Sequence, residues 1–575
     1  MFCDGGGAAS ELKNSSASPE EPRVSKDLSV ATSGGRWRRI LPGLLLLALA
    51  AAPSLRAVEW ETLFTAQDVR DDLSTPAGRE SALEFCRRMH ITKVYLEVFR
   101  DGTQADATTL RQARDFFRQA GIQVSGCVAT TELGKPSTGW KIVACYTNLA
   151  NQEHLASIFR FAASLFNEII IDDFFFTDCQ CSECSAAKGS MSWTQYRDRL
   201  MVRVSRDDVL GPARAVNPKA RIILKYPQWY DEYQNRGYVV DKETALYDRI
   251  WVGTETRNPA SPHWGHKQPY EGFFLYRWLS GIGGAKTGGG WFDPYGTDAA
   301  FYMDQAWTTV LAGAKEVFLF HYGSLISPQY QAQAKALRQA EPKLDALGKL
   351  VGHWRGVAAY KPISSDPGTE PYIFDQMGML GIPLAPTATF PSKARAAMFA
   401  EYAMHDPQFV PELKQFLENG GTAFLTEGLA HRLNLDPRLA AYGSLELPKT
   451  KLIEKMKAGA GEIIIFSDAL PELTRVDSED RIAQLTPELR AALYELREAV
   501  ADFAATSLDA PPRVAVFPMG GRVAVMNYTE LPVACHVELG GMASRRTEVF
   551  AANGAALASD GETLRLPPHS LIVVE

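Results

Sequence analysis

The residues best placed for chemistry are acids where strands should end. Asp172 and Asp173 follow the apolar run Ile169, Ile170, Ile171, which reads as a strand buried on both faces. Adjacent strand residues point to opposite faces, so at most one of the two faces inward along the strand axis. A buried carboxylate without a partner is costly, so the pair needs a reason. A turn cap or a hold on a neighbouring cation is the plain one. The other is catalysis, because α/β barrels keep their chemistry at the C-terminal ends of parallel strands. Further expected strand ends carry Lys225 and Tyr226, Glu255 and Arg257, Trp291 and Asp293, then His321 and Tyr322. An earlier one carries Glu97 beside Arg100. Several such sets converging on one barrel mouth describe a site. Two carboxylic acids and aromatic platforms suit cleavage of a glycosidic bond. One acid protonates the leaving oxygen; the other attacks the anomeric carbon or activates a water. Asp172, Asp173, Glu255 and Asp293 are the candidate catalytic acids. Glu97, Arg100, Lys225, Tyr226, Trp229, Arg257, Trp291 and His321 are the candidate substrate contacts. Tyr230, Trp264 and Trp278 add further rings, although any single Trp is more often core than platform.

The sharpest local signal is Cys179-x-Cys181-x-x-Cys184 with Cys145 upstream. A structural zinc takes four thiolates at one tetrahedral point, and short loops of this spacing supply them. One or two disulfides among the same four are the competing reading if the chain is exported. Either would pin the loop behind the fourth strand. A catalytic zinc fits poorly, because such sites keep an open position. Cys3, Cys86, Cys127 and Cys535 carry no pattern.

These residues need a scaffold, and the chain supplies an alternating one. Strands are expected at residues 61–66, 92–99, 122–128, 169–171, 222–226, 249–253, 288–292 and 316–320, with helices such as 109–120 and 154–166 between them. Eight strands alternating with helices indicate an α/β fold, a (β/α)8 TIM barrel over residues 58–350. Short strands at 357–360, 396–399, 421–425 and 462–466 then alternate with helices. They indicate a flavodoxin-like, doubly wound α/β domain over residues 351–475. A helical linker over 476–510 leads to a small C-terminal β-sandwich over 511–575.

Composition excludes some classes. The 575 residues carry a net charge of −7, with pI near 5.9, so there is no electrostatic case for nucleic acid. Residues 1–57 read as a disordered leader and signal peptide: Arg36, Arg38 and Arg39 precede an apolar run at 41–52 too short to span a bilayer. Export to a periplasmic or extracellular location, without stable membrane insertion, is the expectation; a membrane anchor is the alternative.

Asp172-Asp173, the Cys-x-Cys-x-x-Cys loop and the following Trp193-Thr-Gln-Tyr-Arg resemble the fourth-strand region of glycoside hydrolase family 42 beta-galactosidases. Members carry Asn-Glu at that strand end, then a zinc-binding cysteine cluster of the same internal spacing. The stretch Leu413-Lys-Gln-Phe-Leu-Glu-Asn-Gly-Gly-Thr-Ala-Phe-Leu-Thr is similar to that family's trimerisation domain. The resemblance implies a structural zinc on Cys145, Cys179, Cys181 and Cys184, no cofactor for catalysis, a carbohydrate substrate and a homotrimer. It places Asp173 at the family's acid/base position, with Asp in place of Glu. Asp293 is the acid nearest the family's seventh-strand nucleophile. Barrels similar to alpha-galactosidases instead put an Asp nucleophile on the fourth strand and the acid/base on the sixth, where this chain has Glu255. Asp173 with Glu255 is therefore the leading pair, with Asp172 and Asp293 as substitutes. A barrel that binds carbohydrate without cleaving it is the other reading.

Overall fold

The computed structural model describes residues 56–575 apart from 262, 264, 266, 476–484 and 541–545. The expected leader thus lies outside the described residues but for its last two positions, and Trp264 lies outside them too.

Eight parallel strands close into a barrel: β1 Glu59–Phe64, β2 Ile91–Arg100, β3 Gln123–Val128, β4 Glu168–Ile171, β5 Arg221–Tyr226, β6 Arg249–Gly253, β7 Thr287–Phe292 and β8 Glu316–Leu319. β1 pairs with both β2 and β8, which seals the ring. Alternate residues point inside. The middle of the barrel is an apolar plug of Leu63, Tyr95, Cys127, Ile170, Ile223, Trp251, Trp291 and Phe318. Two residues nearer the C-terminal ends, the same alternation brings Glu97, Asp172, Lys225, Gly253 and Asp293 to the mouth. Below the plug, Lys93 pairs with Glu168 at 2.6 Å.

Two barrel strands have weak sequence patterns for physical reasons. β1 ends earlier than its pattern suggests, because Thr65 caps the next helix and exchanges side-chain and backbone bonds with Asp68. β7 contains three consecutive glycines, and at Gly289 a Cβ would lie 2.5 Å from Glu316 O and 2.7 Å from the Trp251 ring. The missing side chains make room for the tryptophan in the plug.

A six-stranded sheet follows: β9 Val357–Tyr360, β10 Leu384–Thr387, β11 Ala396–Phe399, β12 Thr422–Thr426, β13 Ile453–Ala458 and β14 Gly461–Phe466, in the order β10-β9-β11-β12-β14-β13. All pairings are parallel except β13 with β14. The helix Phe409–Glu418 hands over to β12 through Gly420 at φ +87°, a left-handed turn that favours glycine. After the helix Pro487–Ala504, two four-stranded antiparallel sheets form the terminal sandwich. Residues 56–575 make one compact unit. Its parts are joined by buried contacts such as Asp231, which accepts from Tyr402 Oη at 2.7 Å and from the Tyr372 amide at 2.7 Å. Among the described residues, no helix is long and apolar enough to cross a membrane.

Candidate active site

Lys225 is the centre of the mouth. It is the last inward residue of β5, and its ammonium donates to Asp173 Oδ2 at 2.8 Å and to Glu255 Oε1 at 2.5 Å. Asp172 Oδ1 lies 3.6 Å away, and the ring of Trp291 lies 4.2 Å beneath the nitrogen. One cation thus gathers three of the four candidate acids. Asp172 continues the inward alternation of β4 and is buried; Arg100 Nη2 donates to it at 2.5 Å, while Arg100 Nε donates to Glu97 at 2.8 Å. Asp173 turns off the strand end and keeps 15% of its side chain exposed. Its amide donates to Asp172 Oδ1 at 2.8 Å, and its carbonyl accepts from Tyr238 Oη at 2.7 Å.

Burial and charge set these acids apart. Burial pushes Asp173 up to about 7 against the pull of Lys225, with the Asp172 and Glu255 charges adding to the rise. Glu255 is also raised, chiefly by burial, while Lys225 and Arg257 pull it back. Burial would raise Asp172 too, but Lys225 and Arg100 outweigh it and leave that carboxyl below its usual range. Glu255 Oε2 is buried and has no hydrogen-bond partner among the described residues. Room for it comes from Gly253, where a Cβ would lie 2.4 Å away.

The fourth acid is spoken for. Arg257, held at φ +56°, grips Asp293 in a fork, Nε to Oδ1 at 3.1 Å and Nη2 to Oδ2 at 2.5 Å. Asp293 also accepts from the Tyr295 amide at 3.0 Å. On the rim, His321 Nδ1 lies 2.8 Å from Asp68 Oδ2, and Ser324 Oγ lies 2.9 Å from its Nε2.

The four sulfurs of Cys145, Cys179, Cys181 and Cys184 all lie within 4.8 Å of one another. Three of the spacings are 3.5, 3.7 and 3.8 Å. A tetrahedron with Zn–S near 2.3 Å has edges of about 3.8 Å, so the donor set and its size fit a closed structural metal site. No disulfide joins any two of these four cysteines in the structure. Lys135 Nζ lies 3.7 Å from Cys181 and Thr147 Oγ1 2.9 Å from Cys184, polar neighbours of the kind that orient thiolate ligands. The cluster ties the loop after β3, which holds Cys145, to the segment after β4, which holds Cys179, Cys181 and Cys184.

Residues 50–346, just over half of the chain, match the family described as "Probable glycosyl hydrolase, catalytic domain". The chain belongs to this family. An uncharacterized protein of Saccharolobus solfataricus is 26% identical over 338 residues, which cover 52% of this chain and 56% of that protein. The chain therefore spans little more than half the length of that relative. Among solved structures, a GH42 beta-galactosidase from G. stearothermophilus aligns with a TM-score of 0.55 at 12% identity, over 90% of this chain and 98% of its own. Alpha-L-fucosidase isoenzyme 2 from Paenibacillus thiaminolyticus aligns with a TM-score of 0.58 at 10% identity, over 91% and 100%. These two are likenesses of fold.

Several expected substrate contacts lie elsewhere. Tyr226 follows Lys225 and so points out of the barrel, where its hydroxyl donates to Glu243 at 3.3 Å. Trp291 is 1% exposed and stacks on Phe318 with centroids 3.9 Å apart, so it is floor rather than platform. Trp278 and Tyr230 are likewise core, and Glu97 is sealed beneath Arg100. Trp229, half-buried, stays at the mouth. Sequence reasoning missed Asp68 and Ser324, which position His321. The Thr65-x-x-Asp68 capping pattern was the available signal for the first.

Proposed function

We propose that the protein is a glycoside hydrolase that cleaves glycosidic bonds in oligo- or polysaccharides through Asp173 and Glu255. The observation that carries this is their shared hold on Lys225 Nζ, at 2.8 and 2.5 Å. The two bonded oxygens can be no further apart than those distances laid end to end. That is below the roughly 6.5–9.5 Å that an inverting enzyme leaves for its water, and supports a retaining reaction. Asp173, held near 7 and open to the mouth, is the acid able to carry a proton at neutral pH. It protonates the leaving oxygen and later takes a proton from the incoming water. Glu255 attacks the anomeric carbon and forms a glycosyl-enzyme, which that water hydrolyses. Lys225 offsets the negative charge that passes between the two acids. Asp293, locked in Arg257, and Asp172, locked between Arg100 and Lys225, position the site.

The test is hydrolysis of a panel of glycosides and oligosaccharides by the purified chain, with product configuration read by NMR. Asp173→Asn and Glu255→Gln should each lower activity by roughly 10²-fold or more. Azide should give a glycosyl azide of inverted configuration with a small-residue variant of Glu255, and of retained configuration with Asp173→Asn. Near-full activity in both single variants would remove the assignment. One observation favours a carbohydrate-binding barrel without hydrolysis: an ammonium spans the gap between the acids. Binding of glycans with no cleavage would establish it.

Three further parts belong to this reading. The sulfur spacing supports a zinc ion on the cysteine cluster; elemental analysis should find one zinc per chain. The basic and apolar run at residues 36–52 supports export, and N-terminal sequencing of the native protein should begin near Val58. The sheet from β9 to β14, similar in sequence to a trimerisation domain, supports a homotrimer; a monomer by light scattering would exclude it.

A further inference from the structure

We propose that Trp140, with the half-buried Phe174, forms a stacking platform for the sugar on the leaving-group side of the scissile bond; the proposal rests on the glycoside hydrolase reading. Trp140 is 48% exposed, and it is the only tryptophan among the described residues on the surface to that degree. Exposing so large a ring costs water-contact free energy that a bound apolar face would relieve. Its centroid lies 5.6 Å from Phe174 and 5.9 Å from Phe176, and Phe176 meets Trp229 edge-on at 5.2 Å. Phe176 is buried and backs the rings from within, so the open surface is Trp140 with the half-buried Phe174. Phe174 is the residue after Asp173, so the surface begins where the proton donor sits. Arg236 lies 5.2 Å from the Phe176 ring and 5.4 Å from the Trp229 ring, a fork of donors beside the rings for sugar hydroxyls.

The loop that carries Trp140 is held in place. The Trp140 amide donates to Asp178 Oδ2 at 2.9 Å, and Arg236 donates to the same oxygen at 3.1 Å. Gly139 lets Asp178 approach, since a Cβ there would lie 2.5 Å from that carboxyl. The cysteine cluster clamps the two loops together a few residues away. A rigid ring stacks at little entropic cost. Pyranose rings offer an apolar C–H face of matching size, and continuity with Asp173 makes a sugar the occupant rather than a protein partner.

The experiment compares the wild type and Trp140→Ala on two substrates of the same cleaved sugar: an oligosaccharide, and the glycosyl fluoride, whose leaving group has no ring to stack. The expected result is a fall of roughly 10-fold in kcat/KM on the oligosaccharide, mainly through KM, a much smaller change on the fluoride, and recovery in Trp140→Phe. Equal losses on both substrates, or no loss on the oligosaccharide, would overturn the platform. If the wild type cleaves neither substrate, the hydrolase reading fails and the platform is judged by binding to a glycan array. Weaker binding in Trp140→Ala retains it; unchanged binding, or none by the wild type, overturns it.

Discussion

Lys225 holds Glu255 by a 2.5 Å ammonium–carboxylate bond at a depth where both side chains are nearly closed off from water. Breaking a buried pair from one side leaves the other charge unpaired, which typically costs about 3–5 kcal/mol. Lys225→Met should therefore destabilise the protein by that order and abolish hydrolysis. Adding Glu255→Gln to it should return part of the stability and none of the activity. Denaturant unfolding of the three variants checks this; a Lys225→Met protein as stable as the wild type would contradict it.

The proton on Asp173 gives the activity a pH signature. Its carboxyl is held near 7, well above the ordinary aspartate range, so it keeps its proton below about 7 and loses it above. A general acid must be protonated to act. kcat/KM should accordingly fall as pH rises through about 7, and the residual activity of Asp173→Asn should lack that limb. The native state binds the proton that the unfolded chain releases near 3.8. The same group's contribution to stability is thus complete below that value and lost as pH rises through about 7. A limb that survives in Asp173→Asn would assign it to another group.

Much of this arrangement was legible in the sequence, because barrel strands announce their ends. The run Ile169 to Ile171 reads as a buried strand, so only one of Asp172 and Asp173 can face inward along it; which one, Asp172, comes from the structure. The same rule applied to β5 would have turned Tyr226 outward, since Lys225 and Tyr226 cannot both face the mouth. What stayed hidden were relations between distant segments. Nothing local told that Lys225 would gather acids from β4 and from beyond β6, or that Arg257 would occupy Asp293. Two strands of the second sheet were unreadable for other reasons. β10 carries Pro386, and β13 is a polar antiparallel edge with little alternation of burial. Trp140 was hidden because a ring in a loop looks the same whether it packs or waits for a ligand.

The cysteine cluster predicts a second dependence. Four thiolates held at tetrahedral spacing repel one another without a cation, so removing the metal should loosen the loops after β3 and β4 together. Prolonged chelation should lower Tm and weaken activity, with zinc restoring both. Cys181→Ser, at the most exposed of the four sulfurs, should reduce the metal content and copy the chelated protein. A chain that holds no metal as isolated, and whose Tm ignores both chelator and zinc, would count against the site.

Glu243 gives a test of the scaffold that leaves the site alone. It sits on the helix Val240–Leu246 behind β5, buried among apolar groups. Its Oε2 accepts from the Val239 amide at 2.9 Å and from Tyr226 Oη at 3.3 Å, while Oε1 has no hydrogen-bond partner among the described residues. Burial pushes its carboxyl up to about 8, with Asp198 and Asp241 adding to the rise. The folded protein therefore holds a proton there that the unfolded chain gives up near 4.5. Where the native state binds more protons, stability falls with rising pH. This group's contribution is complete below about 4.5 and is lost progressively until pH passes about 8. The slope in that window is about 1.4 kcal/mol per pH unit. Glutamine keeps the shape and the two accepted bonds but cannot ionise in either state. Unfolding free energies of the wild type and Glu243→Gln, measured at pH 5, 6, 7 and 8, should diverge steadily in favour of the variant as pH rises. Parallel curves would mean that Glu243 is ionised in the folded protein at neutral pH, with a partner that burial alone does not reveal.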